Sequence, residues 1–121
     1  MKNFIVLLLI LIIAGCSLQD PMSRAQNLSS KGKFAEAVKI LEKAYKEQPN
    51  SVPVKSILAQ TYSDYGLALC QDTNKPPKVK YPMAKEQFAK ALALNPYLKD
   101  AQEMYEMIEK IQASFAANKI E

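Results

Sequence analysis

Side chains that could carry out chemistry are scarce in this chain. Its 121 residues contain no histidine, three scattered glycines and two cysteines, Cys16 and Cys70. Without imidazole, histidine-assisted triads, histidine-ligated metal sites and imidazole acid–base catalysis are excluded. One cysteine besides Cys16 is too few for a CxxC redox pair or a thiolate metal cluster, and the glycines form no phosphate-binding loop. We therefore predict that the protein is not an enzyme and uses no metal or other cofactor.

Cys16 follows a short apolar segment with a basic start. Phe4 to Ala14 form an unbroken run of 11 apolar residues behind Lys2, whereas a helix that spans a bilayer needs roughly 20. A basic start, an apolar middle and small residues at the end are typical of a secretory signal peptide, which is removed after export. We therefore predict that residues 1–15 are a cleaved signal peptide.

The sequence Ile13-Ala14-Gly15-Cys16 resembles the lipobox of bacterial lipoproteins. This resemblance implies that Cys16 becomes the first mature residue and carries acyl chains on its sulfur and its amino group. More than one chain would give durable membrane attachment, since a single acyl chain binds only marginally. Residues 16–20 would then be the anchor and a short tether. The alternative is a plain signal peptide, or a buried N-terminal helix, with an incidental cysteine.

If Cys16 is lipidated, Cys70 has no partner within the chain. A free cysteine is most often a small buried apolar residue. We expect this role for Cys70, on a helix, with a reactive or intermolecular role as the alternative.

The charge balance of the exported part excludes few partners. Removing residues 1–15 leaves 106 residues, enough for one small domain. Without Lys2, 15 Lys+Arg stand against 12 Asp+Glu, a surplus of +3. This surplus is too small to indicate nucleic-acid binding, although it would not repel an anionic membrane surface. Lysine outnumbers arginine 15 to 1 in the whole chain, which fits a solvated surface better than a phosphate-binding site.

Apolar residues recur at intervals of three and four along the exported part, which predicts an all-α fold. Asp20-Pro21 is typical of a helix start, with Asp20 as the capping residue and Pro21 in the first helical position. We predict a first helix to about Ser30 and a second from Phe34, stopped at residues 48–50. Three further helices follow, with apolar stripes over residues 54–69, 84–94 and 98–115.

Two segments repeat one pattern. AEAVKILEKAYKEQP, from Ala35, and PMAKEQFAKALALNP, from Pro82, align at a constant offset of 47 residues. The offset pairs Ala37 with Ala84, Leu41 with Phe88, Ala44 with Ala91 and Pro49 with Pro96. Small alanines let two helices approach closely, the large apolar residue fills the gap, and the proline ends the helix. This frame resembles the second helix of a tetratricopeptide repeat (TPR).

The first-helix pattern of that family is matched by Leu58-Ala59 with Tyr62, and more weakly by Arg24-Ala25 with Leu28. From Leu28 to Ala37 is 9 residues and from Tyr62 to Ala84 is 22, so the second unit carries 22 − 9 = 13 extra residues. We place this insertion at about 71–82, as a loop after an extended third helix. The resemblance implies a right-handed α–α superhelix over residues 21–121, with two TPR-like hairpins and a C-terminal capping helix.

The TPR resemblance implies a protein-binding scaffold whose first helices line a concave groove. Mapped onto this chain, the candidate groove residues are Met22, Gln26, Ser29, Ser30, Ser56, Gln60, Ser63, Asp64, Glu103, Met107 and Lys110. An exposed helix face without a ligand is the alternative. Met22 and Gln26 stand where some family members clamp a C-terminal carboxylate with basic and asparagine side chains. We therefore do not expect a chaperone-tail receptor.

The inserted segment combines proline, lysine and one tyrosine. Its candidate contact residues are Lys75, Lys78, Lys80 and Tyr81. Such a stiff basic segment could meet a partner or anionic head groups, and a solvated connection is the alternative. Residues 17–20 alone separate Cys16 from the first helix, so a tether of ~3.5 Å per residue would hold the domain within roughly 14 Å of its anchor.

These features predict a lipid-anchored adaptor that binds another envelope protein or peptide segment and helps to assemble or stabilise a cell-envelope complex. Similar small lipoproteins with these repeats serve as pilotins or assembly factors for outer-membrane machines. Ser17 is not the aspartate that resembles an inner-membrane retention signal. This favours the periplasmic face of an outer membrane, or the outer face of the cytoplasmic membrane in a cell without one. The alternatives are a helical carrier that shelters a lipid or other apolar ligand, and self-association into a homo-oligomer.

Overall fold

The computed structural model describes residues 20–119. Its helices are α1 (Pro21–Ser30), α2 (Phe34–Glu47), α3 (Val52–Gln71), α4 (Pro77–Leu94) and α5 (Lys99–Ala117). Helices account for 81% of the described residues, and no strand occurs among them. The predicted all-α fold is confirmed. The predicted signal peptide and the candidate lipidation site Cys16 lie outside the described residues.

Local sequence signals set the helix starts. Pro21 occupies the first turn of α1 as predicted, but the Asp20 side chain makes no capping hydrogen bond. The capping role predicted for that carboxylate is wrong, and only the Asp20 backbone carbonyl takes part in the helix start, where it accepts the Arg24 N–H at 3.0 Å. Helix α3 does have a side-chain cap, since the Val54 N–H donates to Ser51 Oγ at 3.4 Å.

The connection between α1 and α2 depends on Gly32. Its φ of 74° lies in the left-handed region, which glycine enters without a Cβ clash. This conformation lets the Lys33 N–H reach the Leu28 carbonyl and the Gly32 N–H reach the Ser29 carbonyl, each at 2.9 Å. The two bonds form a Schellman motif, which satisfies the last carbonyls of α1 and turns the chain back along it.

The helices form an antiparallel stack. Each helix packs against the next one along the chain, and α1 also contacts α3. The connections are three to five residues long, so neighbouring helices run in opposite directions. The starts of α1, α3 and α5 therefore share one end, which we name the near end because Asp20 lies there. The α3–α4 turn and the end of α5 lie at the far end, about 30 Å away along α3 at about 1.5 Å per residue.

The repeated residues form the centre of the core. Ala37 and Leu41 of α2 are fully buried, and so are their counterparts Ala84 and Phe88 of α4. The Phe88 ring packs against Gly66 of α3, where an added Cβ would lie 2.8 Å from the ring. Large side chains thus fill the space that small ones leave between paired helices.

Helix α4 begins earlier than its apolar stripe indicates. The prediction of a loop over residues 71–82 is wrong for its second half, because the connection covers only 72–76 and α4 begins at Pro77. Lys78, Lys80 and Tyr81 therefore lie on a helix. Pro77 suits a first helical position, since its fixed φ is helical and its missing N–H would have no intrahelical partner there. Pro82 lies inside the helix and leaves only one carbonyl of the preceding turn without its usual donor.

Candidate protein-binding surfaces

The candidate groove residues lie on α1, α3 and α5, the helices that run from the near end to the far end. The exposed ones are Gln26, Ser30, Ser56, Gln60, Glu103, Met107 and Lys110, and the half-buried ones are Met22, Ser29 and Asp64. Ser63 is only 2% exposed. Its inclusion in the groove is wrong, because it is a small residue enclosed by the core.

Five of the seven exposed groove residues are uncharged, and two of these, Ser30 and Gln60, form local hydrogen bonds. Gln60 Nε2 donates to Asp64 Oδ1 at 2.9 Å, one turn along α3, and Ser30 Oγ donates to the Asn27 carbonyl at 2.7 Å. The Ser29 hydroxyl is shielded from water and has no hydrogen-bond partner among the described residues. Small side chains on this face fit the direct contact between α1 and α3.

The deeper recesses lie elsewhere. Five clefts on the described residues have volumes of about 250 to 530 Å³, and none of the candidate groove residues lines any of them. A ligand bound to α1, α3 and α5 would therefore lie on a shallow, mainly polar surface.

Asp72 organises the turn between α3 and α4. Its Oδ2 atom accepts a hydrogen bond from Lys75 Nζ at 2.6 Å, and its Oδ1 atom accepts the Asn74 N–H at 2.8 Å. Its backbone carbonyl accepts Lys80 Nζ at 3.2 Å. The hydrogen bond from Lys75 holds the pKa of Asp72 below its usual value and raises the pKa of Lys75. Of the candidate contact lysines, Lys75 and Lys80 are therefore already engaged in the turn.

Lys78 and Tyr81 line a different feature, an open cleft between the first turns of α4 and the last turns of α5. We name it the far-end cleft, and its volume is about 530 Å³. Its lining residues are Pro77, Lys78, Tyr81, Pro82, Gln112, Phe115, Ala116, Asn118 and Lys119. The antiparallel packing of α4 on α5 thus combines two candidate contact residues with a segment from the end of the described chain.

The α5 side of this cleft was not among the predicted contact residues. Phe115 ends the predicted apolar stripe of α5, yet it is 42% exposed. It is exposed because it lines the open cleft between α4 and α5, where the two helices leave its side chain accessible to solvent. The signal available in the sequence was the position of Phe115 near the end of the last predicted helix, because the end of a stack offers few neighbours to pack against.

Tyr62 connects three helices inside the stack. Its hydroxyl donates to the Glu42 carboxylate of α2, and Lys90 Nζ of α4 lies 5.8 Å from the centre of its ring. Burial, reinforced by the bond to Glu42, raises the pKa of Tyr62 well above its usual value. The phenol is therefore held neutral, which suits a packing role rather than a proton-transfer role.

Cys70 is half-buried on α3 and packs against the core. Burial raises the pKa of its thiol, and the nearby Lys80 ammonium opposes this effect only in part. A raised pKa disfavours the reactive thiolate. These observations agree with the predicted packing role.

No protein-family model, curated protein or solved structure matches this chain. Among residues 20–119, no group of three or more acidic, cysteine or histidine side chains is placed to hold a metal ion. None of the helices in that range is long and apolar enough to cross a membrane. Function must therefore be inferred from the residues themselves.

Proposed function

We propose that the protein is a lipid-anchored adaptor of the cell envelope, which holds another polypeptide on a stack of TPR-like hairpins. In this proposal α1–α2 and α3–α4 are two repeats of a right-handed α–α superhelix, and α5 is the capping helix. Acyl chains on Cys16 attach the near end to a membrane, and the exposed groove residues of α1, α3 and α5 contact the partner.

The matched burial of the repeated residues is the observation that carries the proposal. The pairs Ala37–Ala84 and Leu41–Phe88 are each 0% exposed, although 47 residues separate their members. Ala25 and Ala59 of the first helices are likewise buried, and so is Ala101 of the capping helix. Equivalent burial at equivalent positions is what stacking of like units requires.

The contact between α1 and α3 also supports the proposal. These helices are separated by α2 in the chain, yet they touch each other. In a stack of hairpins, the first helices of successive units lie side by side and form one continuous surface. Short uncharged side chains on that surface, such as Ser56 and Gln60, suit hydrogen bonds to the backbone of a bound segment.

The carrier alternative has less support. Sheltering an acyl chain from water requires an enclosed apolar cavity. The five clefts on the described residues are all open to solvent. An adaptor has no such requirement.

Site-specific photo-crosslinking tests the adaptor proposal. A photoreactive phenylalanine analogue replaces Gln26 or Gln60 in the full chain, expressed in its own cells. Both residues are exposed on the first helices. We expect each variant to form the same adduct with one envelope protein. Exposed positions on α2, Lys39 and Lys46, are the matched controls. The same adduct at the α2 positions, or none at the groove positions, would count against the proposal.

A second measurement tests the anchor independently. Cys16→Ser removes the sulfur that the lipid would occupy. We expect this variant to lose incorporation of labelled fatty acid and to leave the membrane fraction, because a domain without its acyl chains retains little apolar surface for insertion. Retention of both properties would contradict lipid anchoring at Cys16.

A further inference from the structure

We infer that the far-end cleft is a second docking site, which takes an acidic segment of a partner polypeptide with an aromatic or large aliphatic side chain. This inference rests on the proposed adaptor function and deepens it. The cleft lies between α4 and α5. The groove residues lie on α1, on α3 and on the side of α5 that faces away from the cleft. A partner could thus be held at two separate places.

The charge of the cleft favours an anionic partner. Lys78 and Lys119 contribute ammonium groups to its lining, and none of its lining residues is Asp or Glu. Lys75, Lys80 and the Asp72 carboxylate lie in and beside the adjoining α3–α4 turn, and their charges sum to one further positive charge. Charge complementarity therefore calls for carboxylates on the ligand.

The start of α4 strengthens this argument. Helix N-termini carry a partial positive charge and are stabilised by acidic side chains in the first turn. The first turn of α4 contains no acidic residue and instead carries Lys78 and Lys80. The partial positive charge of this helix terminus is therefore not offset by a carboxylate in its own first turn. A carboxylate bound in the cleft would relieve the repulsion.

The apolar residues that line the cleft explain why the proposed ligand carries an aromatic or large aliphatic side chain. Tyr81 and Phe115 face the cleft together with Pro77, Pro82 and Ala116. Phe115 is 42% exposed, although it is a large apolar residue on the inner side of a cleft. An aromatic or aliphatic side chain placed there would bury both its own surface and that of Phe115.

The open form of the cleft favours a polypeptide over a lipid. A bound peptide needs one side in water, because its backbone N–H and C=O groups must find hydrogen-bond partners. An acyl chain gains most when it is covered on all sides. The cleft also lies at the far end of the stack, which the length of α3, about 30 Å, separates from Asp20 at the near end. It is therefore away from the end where the predicted anchor attaches.

Peptide selection tests the inference. The full chain, with its acyl chains, is held in phosphatidylcholine nanodiscs and exposed to a phage-displayed library of random 12-residue peptides. We expect the selected peptides to be enriched in Asp or Glu next to Phe, Tyr, Trp or Leu. Their affinity should fall as salt rises, because the ammonium groups are exposed and therefore screened.

Variants locate the binding. The double change Lys78→Glu and Lys119→Glu should weaken the selected peptides about tenfold, since each exposed charge contact contributes modestly and both change sign. Phe115→Ala should weaken them by a similar factor. The matched controls are Lys39→Glu with Lys46→Glu on α2, and Tyr97→Ala, an exposed aromatic at the near end. The controls should leave the affinity within about twofold of wild type.

The outcomes separate this inference from the adaptor proposal. Peptides that lose binding with Gln60→Ala but keep it with the cleft variants would overturn the inference and leave the adaptor proposal standing. Failure to select any peptide would overturn the inference, whereas crosslinking at Gln26 and Gln60 tests the adaptor proposal separately. If the double lysine change instead affects only binding to vesicles that contain phosphatidylglycerol, the ligand is a lipid head group and the inference is wrong.

Discussion

Gly66 lies in the second half of α3, where its missing side chain makes room for the Phe88 ring of α4. A Cβ atom at this position would lie 2.8 Å from two ring atoms of Phe88. Real Cβ atoms do not approach other atoms so closely, and the ring is fully buried and has little space to move. The packing of α3 on α4 therefore requires glycine at this position despite its low helix propensity.

Gly66→Ala should destabilise the fold. Alanine gains about 1 kcal/mol in helix propensity over glycine, but overpacking a tight core typically costs about 1–3 kcal/mol. We expect a net loss of about 1 kcal/mol in the free energy of unfolding, measured by urea denaturation followed by circular dichroism. Ser56→Ala, an exposed change on the same helix, is the control and should leave stability unchanged or slightly raised. A Gly66→Ala variant more stable than wild type would contradict the packing argument.

Tyr62→Phe should lower stability by about 1 kcal/mol at neutral pH, because it removes the hydrogen bond to Glu42. Burial raises the pKa of Tyr62 in the folded chain above its ordinary value of 10.0. Above that pH the unfolded chain binds fewer protons at this residue than the folded chain, so this contribution to stability is lost as pH rises. The stability difference between wild type and Tyr62→Phe should therefore narrow at alkaline pH.

Unfolding free energies of wild type and Tyr62→Phe, measured from neutral pH to about pH 11, check this pH dependence, because the ordinary pKa of tyrosine is near 10. Tyr97→Phe is the control, since Tyr97 is 89% exposed. Its difference from wild type should stay near zero at every pH. A gap between wild type and Tyr62→Phe that is constant or widens with pH would show that the buried hydroxyl is not held in its neutral form.

Helix α4 shows how an element can extend beyond its sequence pattern. The apolar stripe starts at Ala84, but the helix begins at Pro77 and contains Pro82. The first turns are stabilised by what they pack against, because Tyr81 packs against the core and Lys80 Nζ bonds to the Asp72 carbonyl. Tertiary contacts therefore offset the low helix propensity of this proline-rich segment.

Pro82→Ala should stabilise the protein. A proline in a helix interior costs about 3 kcal/mol through a lost hydrogen bond and a ring clash. Proline also lowers the entropy of the unfolded chain, which stabilises the fold by about 1 kcal/mol and offsets part of that cost. We expect an increase of about 1–2 kcal/mol in the unfolding free energy, measured by urea denaturation. Pro53→Ala is the matched control, because Pro53 lies in the first turn of α3, where no helical bond is lost. A destabilised Pro82→Ala variant, or equal effects at both prolines, would contradict this account.

At the scale of the whole molecule, burial is concentrated in the middle of the stack. Helix α3 contains eight buried residues, whereas α1 contains only Ala25, and α5 contains Ala101 and Ile108. Helix α3 also contacts α1, α2 and α4. A stack of this kind loses its terminal elements first, because each element is stabilised only by its neighbours.

Hydrogen exchange should follow this order. We expect the slowest amides in α3 and in the second half of α4, and faster exchange in α1 and in the last turns of α5. Mass spectrometry of exchanged peptides measures the order directly. Ile108→Ala should accelerate exchange in α5 more than in α3, since Ile108 is the largest fully buried side chain of α5. Uniform protection along the chain, or slowest exchange in α1, would contradict the stacked arrangement.

The sequence by itself determined the all-α class, the ends of α1 and α2, and the repeated alanines that are buried in both hairpins. These features depend on short-range physics, namely helical periodicity, proline and glycine chemistry, and side-chain size. Only the tertiary structure decided that Ser63 is enclosed, that Lys75 and Lys80 are bound by Asp72, and that Tyr81 and Phe115 line one cleft. Those properties depend on which helices pack together, and periodicity within one helix cannot specify its partner across the stack.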